Sequence, residues 1–233
     1  MFSQHVNNET QRASTNEGGG VSIRSSSQWV QALEPHYWDG RYASRELVWT
    51  GAANQFLVAE TEALTPGRAL DLASGEGRNA VWLAQRGWSV RAVDFSKVAT
   101  DKAVRLAASR GVGERIDFKT ADLRSFNSGE QCFDLVALVY LQIPQVELVP
   151  ILQRAARAVA PGGSFVLVAH DSDNLLRGFG GPQHPDMLYT AQQVVAAVGN
   201  ELSIEKAGPV TRMVDTKNGV REAIDCLVLA RRS

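Results

Sequence analysis

Cysteine is nearly absent from this chain: only Cys132 and Cys226 occur in 233 residues. Two thiols build neither a disulfide framework nor a paired-cysteine metal site, so both are read as core residues and no metal is expected. A charge excess is lacking as well. The 24 Lys+Arg stand against 25 Asp+Glu, a formal net charge of −1, which excludes the broad basic surface that supplies most non-specific affinity for nucleic acid. No apolar run approaches the ~20 residues that span a bilayer. The N-terminus also lacks the basic segment and apolar stretch of a secretory signal. These absences predict a cytoplasmic protein, monomer or homodimer, with no nucleic-acid or membrane partner.

What is present suffices for one core. Hydrophobic residues make up 44% of the chain, and chains below about 250 residues usually form a single domain. Residues 1–27 are mostly Ser, Asn, Gly and Thr; they bury too little to offset ordering entropy and are predicted to be a disordered tail. The single domain is placed at 28–233. Its first segment concentrates aromatics, Trp29, Tyr37, Trp38, Tyr42 and Trp49, as a packed helix or a cover over a pocket.

From residue 68 the period switches repeatedly between strand and helix. Strands are predicted at 68–73, 88–93, 116–119, 133–139, 164–169, 202–206 and 223–230. Helices are predicted at 52–64, after Gly77, at 96–110, at 146–159 and at 191–198. Alternation at this spacing means right-handed crossovers, hence an α/β fold with a doubly wound, mostly parallel sheet of seven strands. Ligands in such sheets bind beyond the carboxyl ends of the strands, where strand order reverses. The 170–189 loop is long enough to be functional.

Residues at those strand ends carry the chemistry. Gly75 and Gly77 follow the first strand and open a helix, where free N–H groups and the helix dipole favour an anion. Gly75-Glu76-Gly77-Arg78-Asn79-Ala80 also fits the dinucleotide fingerprint. Asp71 ends the first strand in an apolar setting that demands a cationic or donor partner. Asp94 ends the second strand, placed either to accept from ribose hydroxyls or to cap the next helix. Asp122, after the third strand, is an acceptor for an adenine amino group or a turn carboxylate.

These stretches, Ala69-Leu70-Asp71-Leu72-Ala73-Ser74-Gly75-Glu76-Gly77-Arg78-Asn79 and Val90-Arg91-Ala92-Val93-Asp94-Phe95-Ser96, resemble the cofactor half of class I S-adenosylmethionine-dependent methyltransferases. The Gly-Glu-Gly-Arg-Asn run followed by Trp82-Leu83 is similar to the tellurite-resistance and thiopurine methyltransferase branch. Thr120-Ala121-Asp122-Leu123, Phe133-Asp134-Leu135-Val136 and Ala160-Pro161-Gly162-Gly163 extend the match over roughly residues 36–232, with the cofactor half at about 66–140. The resemblance implies a Rossmann-like fold and S-adenosylmethionine as cofactor. It implies that Asp71, Ala73, Gly75 and Gly77 line the methionine part, that Asp94 holds the ribose and that Phe95 lies along the adenine. Asp122 would meet the adenine amino group with Leu123 beside the ring, and Ala121 and Val139 join the cofactor-binding set. Alanine at 73 departs from the family's usual glycine, and Ser74 from its frequent cysteine.

For the acceptor side, Trp38, Tyr42, Tyr140 and His170 are the predicted pocket residues; Asp171 and His184 are further candidate bases. No catalytic residue is assigned. The segment Val139-Tyr140-Leu141-Gln142-Ile143-Pro144 lacks the Asn/Asp-Pro-Pro-aromatic run of enzymes that methylate nucleic-acid bases. A small-molecule acceptor, whether thiol, metalloid oxyanion, amine or hydroxyl, is therefore expected. Two other readings stay open: a nicotinamide-dependent oxidoreductase and a non-catalytic S-adenosylmethionine-binding protein.

Overall fold

The computed structural model describes residues 33–48 and 51–233. The predicted tail at 1–27, Trp29 and Trp49 lie outside the described residues. Helices α1 (Pro35–Ala43) and α2 (Gln55–Thr61) precede the alternating part. That part comprises β1 (Arg68–Leu72), α3 (Arg78–Gln85), β2 (Ser89–Asp94), α4 (Lys97–Ser109), β3 (Ile116–Thr120), β4 (Phe133–Val139), α5 (Gln145–Ala158) and β5 (Val159–His170). After β5 come α6 (Asn174–Arg177), α7 (Ala191–Val198), β6 (Ser203–Thr216) and β7 (Gly219–Arg231).

The sheet runs β3-β2-β1-β4-β5-β7-β6. Strands β1 to β5 are parallel, and β7 enters antiparallel between β5 and β6. Strand order reverses between β1 and β4, so the carboxyl edge there is where a ligand crevice forms. Strand β4 is buried at six positions of seven, with Asp134 the exposed one, as a strand covered on both faces requires. One face packs on α5 and α7 through Leu148, Ile151, Leu152, Val194 and Val198. The other packs on α2 and α3 through Leu57, Val81 and Leu83, with Trp88 between α3 and β2.

Four predicted elements change, among them the fifth strand, predicted at 164–169, which starts at Val159 and runs through Pro161-Gly162-Gly163. The helix at 52–64 shortens to α2 because Asn54 caps it: the Asn54 side chain accepts from the N–H groups of Phe56 and Leu57. The last two strands lengthen into one hairpin joined at Lys217-Asn218, with Thr216 opposite Gly219. Strand β6 is the sheet's edge and mostly exposed, so it has no buried face to write a hydrophobic period into the sequence, and Gly208-Pro209 reads as a break. Proline is tolerated there because an edge strand need not donate on its outer side.

The N-terminal cover is stapled to the ligand edge. Asp39 on α1 accepts from the Ser96 hydroxyl at 2.6 Å and the Val98 N–H at 3.2 Å, at the start of α4. Lys102 on α4 donates to the carbonyl oxygens of Tyr42 (2.5 Å) and Arg45, and pairs with Glu76 at 3.1 Å. The Glu76 carboxylate in turn accepts from the Val48 N–H at 2.9 Å. Segment 42–48 is thereby fixed over the glycine loop.

Candidate active site

The chain leaves β1 through two left-handed residues, Ala73 (φ 58°) and Gly75 (φ 54°). A Cβ on Gly75 would stand 3.0 Å from the Tyr42 hydroxyl, so this loop and the cover meet at glycine distance. Around them a cavity of about 800 Å³ opens at the carboxyl edge. Ala73, Gly75, Asp94, Phe95, Asp122, Leu123 and Val139 line it, and so do Trp38, Tyr42, Tyr140 and His170.

Three residues predicted to bind the cofactor do not line it. Gly77 has φ 81° and begins α3; a Cβ there would lie 2.7 Å from that of Ala103, so its glycine serves the packing of α3 on α4. Ala121 packs into the core, and its N–H donates to the Asp94 carbonyl. Asp71 sits beneath the loop, 1% exposed, with neither carboxylate oxygen in a hydrogen bond of good geometry. Burial pushes its pKa up to about 7, and the nearby Asp94 adds to this, against the opposing charge of Arg78 and the Ala80 N–H.

Asp94 is already engaged. Its two oxygens accept from the N–H groups of Gly75 (2.8 Å) and Ser96 (2.9 Å), bracing the loop and starting α4, whose N-cap is Ser96. Burial raises it to about 6 despite these bonds. Asp122 is clasped by the Arg124 guanidinium at 2.6 to 3.0 Å and by the Arg124 N–H, contacts that hold its carboxyl below the ordinary range.

The opposite end of the cavity is built from β4 to β7. Tyr140 follows β4 with φ 61°, a left-handed conformation costly for an aromatic residue. Its hydroxyl donates to Asp225 at 2.7 Å, and its ring stacks on His170 at 4.7 Å. Arg212 donates through Nε to the same carboxylate at 2.8 Å. His170 Nδ1 lies 3.0 Å from the other Asp225 oxygen, with the ring turned off the ideal N–H direction. Asp225 has no exposed surface. Burial works to raise its carboxyl, but His170, Arg212 and Tyr140 outweigh that and hold it low, so it is a carboxylate. Burial and Asp225 push the Tyr140 phenol up instead, which keeps it a donor. Arg212 and Asp225 were not singled out from the sequence: Asp225 lies inside the apolar run Ala223-Ile224-Asp225-Cys226-Leu227, where a lone acid between apolar residues is the available signal.

The remaining candidates lie elsewhere. The Asp171 carboxylate accepts from the Asp173 N–H in its own turn, and His184 accepts from the Asp186 N–H; neither lines the cavity. The 170–189 loop does reach it through Phe179, Gly180, Gly181, Pro182 and Met187. Among the described residues no group of metal-binding side chains is found, and no helix is long and apolar enough to cross a membrane.

Residues 69–163 match the methyltransferase domain. The stretch spans β1 to the start of β5, and so holds the glycine loop, Asp94 and Asp122. A 122-residue segment is 30% identical to the 2-heptyl-1-hydroxyquinolin-4(1H)-one methyltransferase of Mycobacteroides abscessus, covering 51% of this chain and 52% of that protein. Among solved structures, TehB from Haemophilus influenzae superposes with a TM-score of 0.66 at 18% identity, covering 85% of this chain and 67% of that one. The N-methyltransferase NodS from Bradyrhizobium japonicum, in complex with S-adenosylhomocysteine, gives 0.64 at 15% identity, covering 87% and 97%. The fold is thus the Rossmann-like one of methyltransferase structures. The chain spans only about a third to a half of the length of the curated relatives it matches.

Proposed function

We propose that this chain is an S-adenosylmethionine-dependent methyltransferase that acts on a small-molecule acceptor. One observation carries the reading: the segment matching a methyltransferase domain is the one whose loop residues Ala73, Gly75, Asp94 and Phe95 line the cavity at the point of strand reversal. The fit to the cofactor rests on the loop residues that line the cavity, Ala73, Gly75, Asp94 and Phe95. Asp71 lies just beneath them, a buried carboxylate with no side-chain hydrogen bond of good geometry; such a group is costly, and the ammonium group of the cofactor's methionine moiety would offset it through the loop without touching it. When bound, the cofactor supplies an electrophilic methyl group on a sulfonium.

The chain's own residues bind, orient and exclude water. Asp94 would hold the ribose hydroxyls with the lone pairs that Gly75 and Ser96 leave over, Phe95 would pack on the adenine, and Asp122 would accept from its amino group. Trp38 and Tyr42 of the stapled cover keep the methyl group dry and place it against the acceptor, the near-attack geometry on which such displacements depend. The name of the Mycobacteroides relative specifies a heptyl-substituted hydroxyquinolinone, a small molecule of a size that suits this cavity. Within methyltransferases, the Gly75-Glu76-Gly77-Arg78-Asn79 run with Trp82-Leu83, together with the likeness to TehB, favours the tellurite-resistance and thiopurine branch.

Calorimetry with S-adenosylmethionine and S-adenosylhomocysteine tests the reading. Both bind in the micromolar range, Asp94→Ala weakens them by roughly 1–3 kcal/mol, and reduced nicotinamide cofactor gives no signal. Failure of both sulfur cofactors to bind at high micromolar concentration overturns it.

A further inference from the structure

The cluster where β4, β5, β6 and β7 converge has the parts of a proton-accepting site. His170 stands between Tyr140, stacked at 4.7 Å, and Gly181, where a Cβ would fall 2.9 Å from the imidazole. Glycine at 181, at φ 73°, is therefore what admits the ring. The backbone at His170 is itself fixed, its main-chain N–H donating to the Gln142 side-chain oxygen at 3.0 Å. Nδ1 stands 3.0 Å from the Asp225 carboxylate, a small ring rotation away from a well-aligned hydrogen bond, and Nε2 is the nitrogen left for a ligand in the cavity that His170 lines. A buried carboxylate behind an imidazole fixes its tautomer, Nδ1 protonated and Nε2 carrying the lone pair.

We propose that His170 is the general base of the acceptor site, positioned by Asp225, and that the acceptor is an apolar small molecule methylated on a weakly acidic O–H. The inference rests on the methyltransferase reading above. The acceptor class follows from the walls. Leu141, Ile143, Phe179, Met187 and Met213 give one end an apolar lining, so the body of the acceptor is apolar. Arg212 and Arg78 line the same cavity beside Tyr140; Arg212 is shared with the Asp225 carboxylate, and the two cations at this end favour an oxyanion as it forms over a cationic amine. A thiol is ionised readily near neutral pH and needs no such base, whereas a phenol or enol gains from one. In the step, the acceptor oxygen gives its proton to Nε2 and forms a bond to the methyl carbon. The electron pair of the broken C–S bond stays on sulfur, and the imidazolium later returns the proton to water.

The charged and titratable groups around the imidazole are Tyr140, just after β4, Asp225 from β7 and Arg212 from β6; Arg78 from α3 acts on Tyr140. Asp171, the next residue, turns its carboxylate to the Asp173 N–H. Asp225 is held ionised by His170, Arg212 and Tyr140 together, against its burial.

The experiment uses the whole chain loaded with S-adenosylhomocysteine and p-nitrophenol as the acceptor probe, since its absorbance reports its own ionisation. In the wild type the bound phenol ionises about tenfold more readily than in water, or more. In His170→Gln that gain is lost while S-adenosylhomocysteine affinity is retained. Nitrogen NMR of the imidazole reads the dyad without any acceptor: Nδ1–H in the wild type, and a mixture of tautomers in Asp225→Asn. An Nε2–H tautomer in the wild type overturns the proposal, as does a probe ionisation unchanged by loaded protein or equal in His170→Gln. If S-adenosylhomocysteine itself fails to bind, the methyltransferase reading falls and takes this one with it; binding without the ionisation effect overturns the base alone.

Discussion

At the scale of single residues, Asp71 carries a pH signature. An ordinary aspartate ionises near pH 3.9, whereas burial, with Asp94 beside it, raises Asp71 to about 7. Between about pH 4 and 7 the folded protein keeps a proton that the unfolded chain has lost, so stability falls as pH rises through that window. Asp94, raised by burial to about 6, acts in the same direction. Asp71→Asn is expected to flatten this dependence and to stabilise the protein at neutral pH by about 1–3 kcal/mol, read from urea unfolding on either side of the window, while weakening the cofactor. A slope unchanged by the substitution would show that the buried proton resides elsewhere. Ala73 makes a second case. Its left-handed φ of 58° costs a non-glycine residue roughly 1–2 kcal/mol, of which the lost chain entropy of glycine returns about 0.5–1. Ala73→Gly is therefore expected to raise stability by a few tenths to 1 kcal/mol in the same assay; destabilisation would mean the methyl group packs usefully. That a departure sits at position 73 is legible in the sequence. That it sits in a left-handed turn is not, since backbone conformation at an alanine leaves no compositional trace.

At the scale of elements, the cover depends on a buried charge pair. Glu76 is 3% exposed and holds Val48, while Lys102 holds Tyr42, Arg45 and Glu76 together. Removing one partner of such a pair strands the other in low dielectric, a loss of about 3–5 kcal/mol where the site stays dry. Lys102→Met is expected to lower the melting temperature and to speed amide exchange at 42–48; adding Glu76→Gln recovers part of the loss. Equal damage in single and double variants would show that the pair is not what holds the cover. Elements buried on one or both faces could be read from the sequence: β4 and α7 lie where the apolar pattern places them, because burial writes a period into the chain. The edge hairpin could not, since exposed β6 leaves no such pattern. The glutamate between two glycines was visible as part of a motif, but its task of clamping the cover was not, because Val48 lies 28 positions away.

At the scale of the molecule, the two ends of the cavity differ in how far sequence reaches. The cofactor end is local, a loop between one strand and one helix, and its residues announce themselves as a motif. The opposite end is assembled from four strands, with Tyr140 and Asp225 separated by 85 positions, and no short pattern spans that distance. The insertion of β7 has one more consequence, for the order in which the chain acquires its shape. Strand β6 joins the sheet solely through β7, which follows it in the chain, so β6 waits unpaired during synthesis until its successor emerges. Pairings that join distant parts of a chain form slowly, and Asp225 rides on the strand that completes them. The nascent protein can thus complete its glycine loop well before the Asp225 end of the cavity exists.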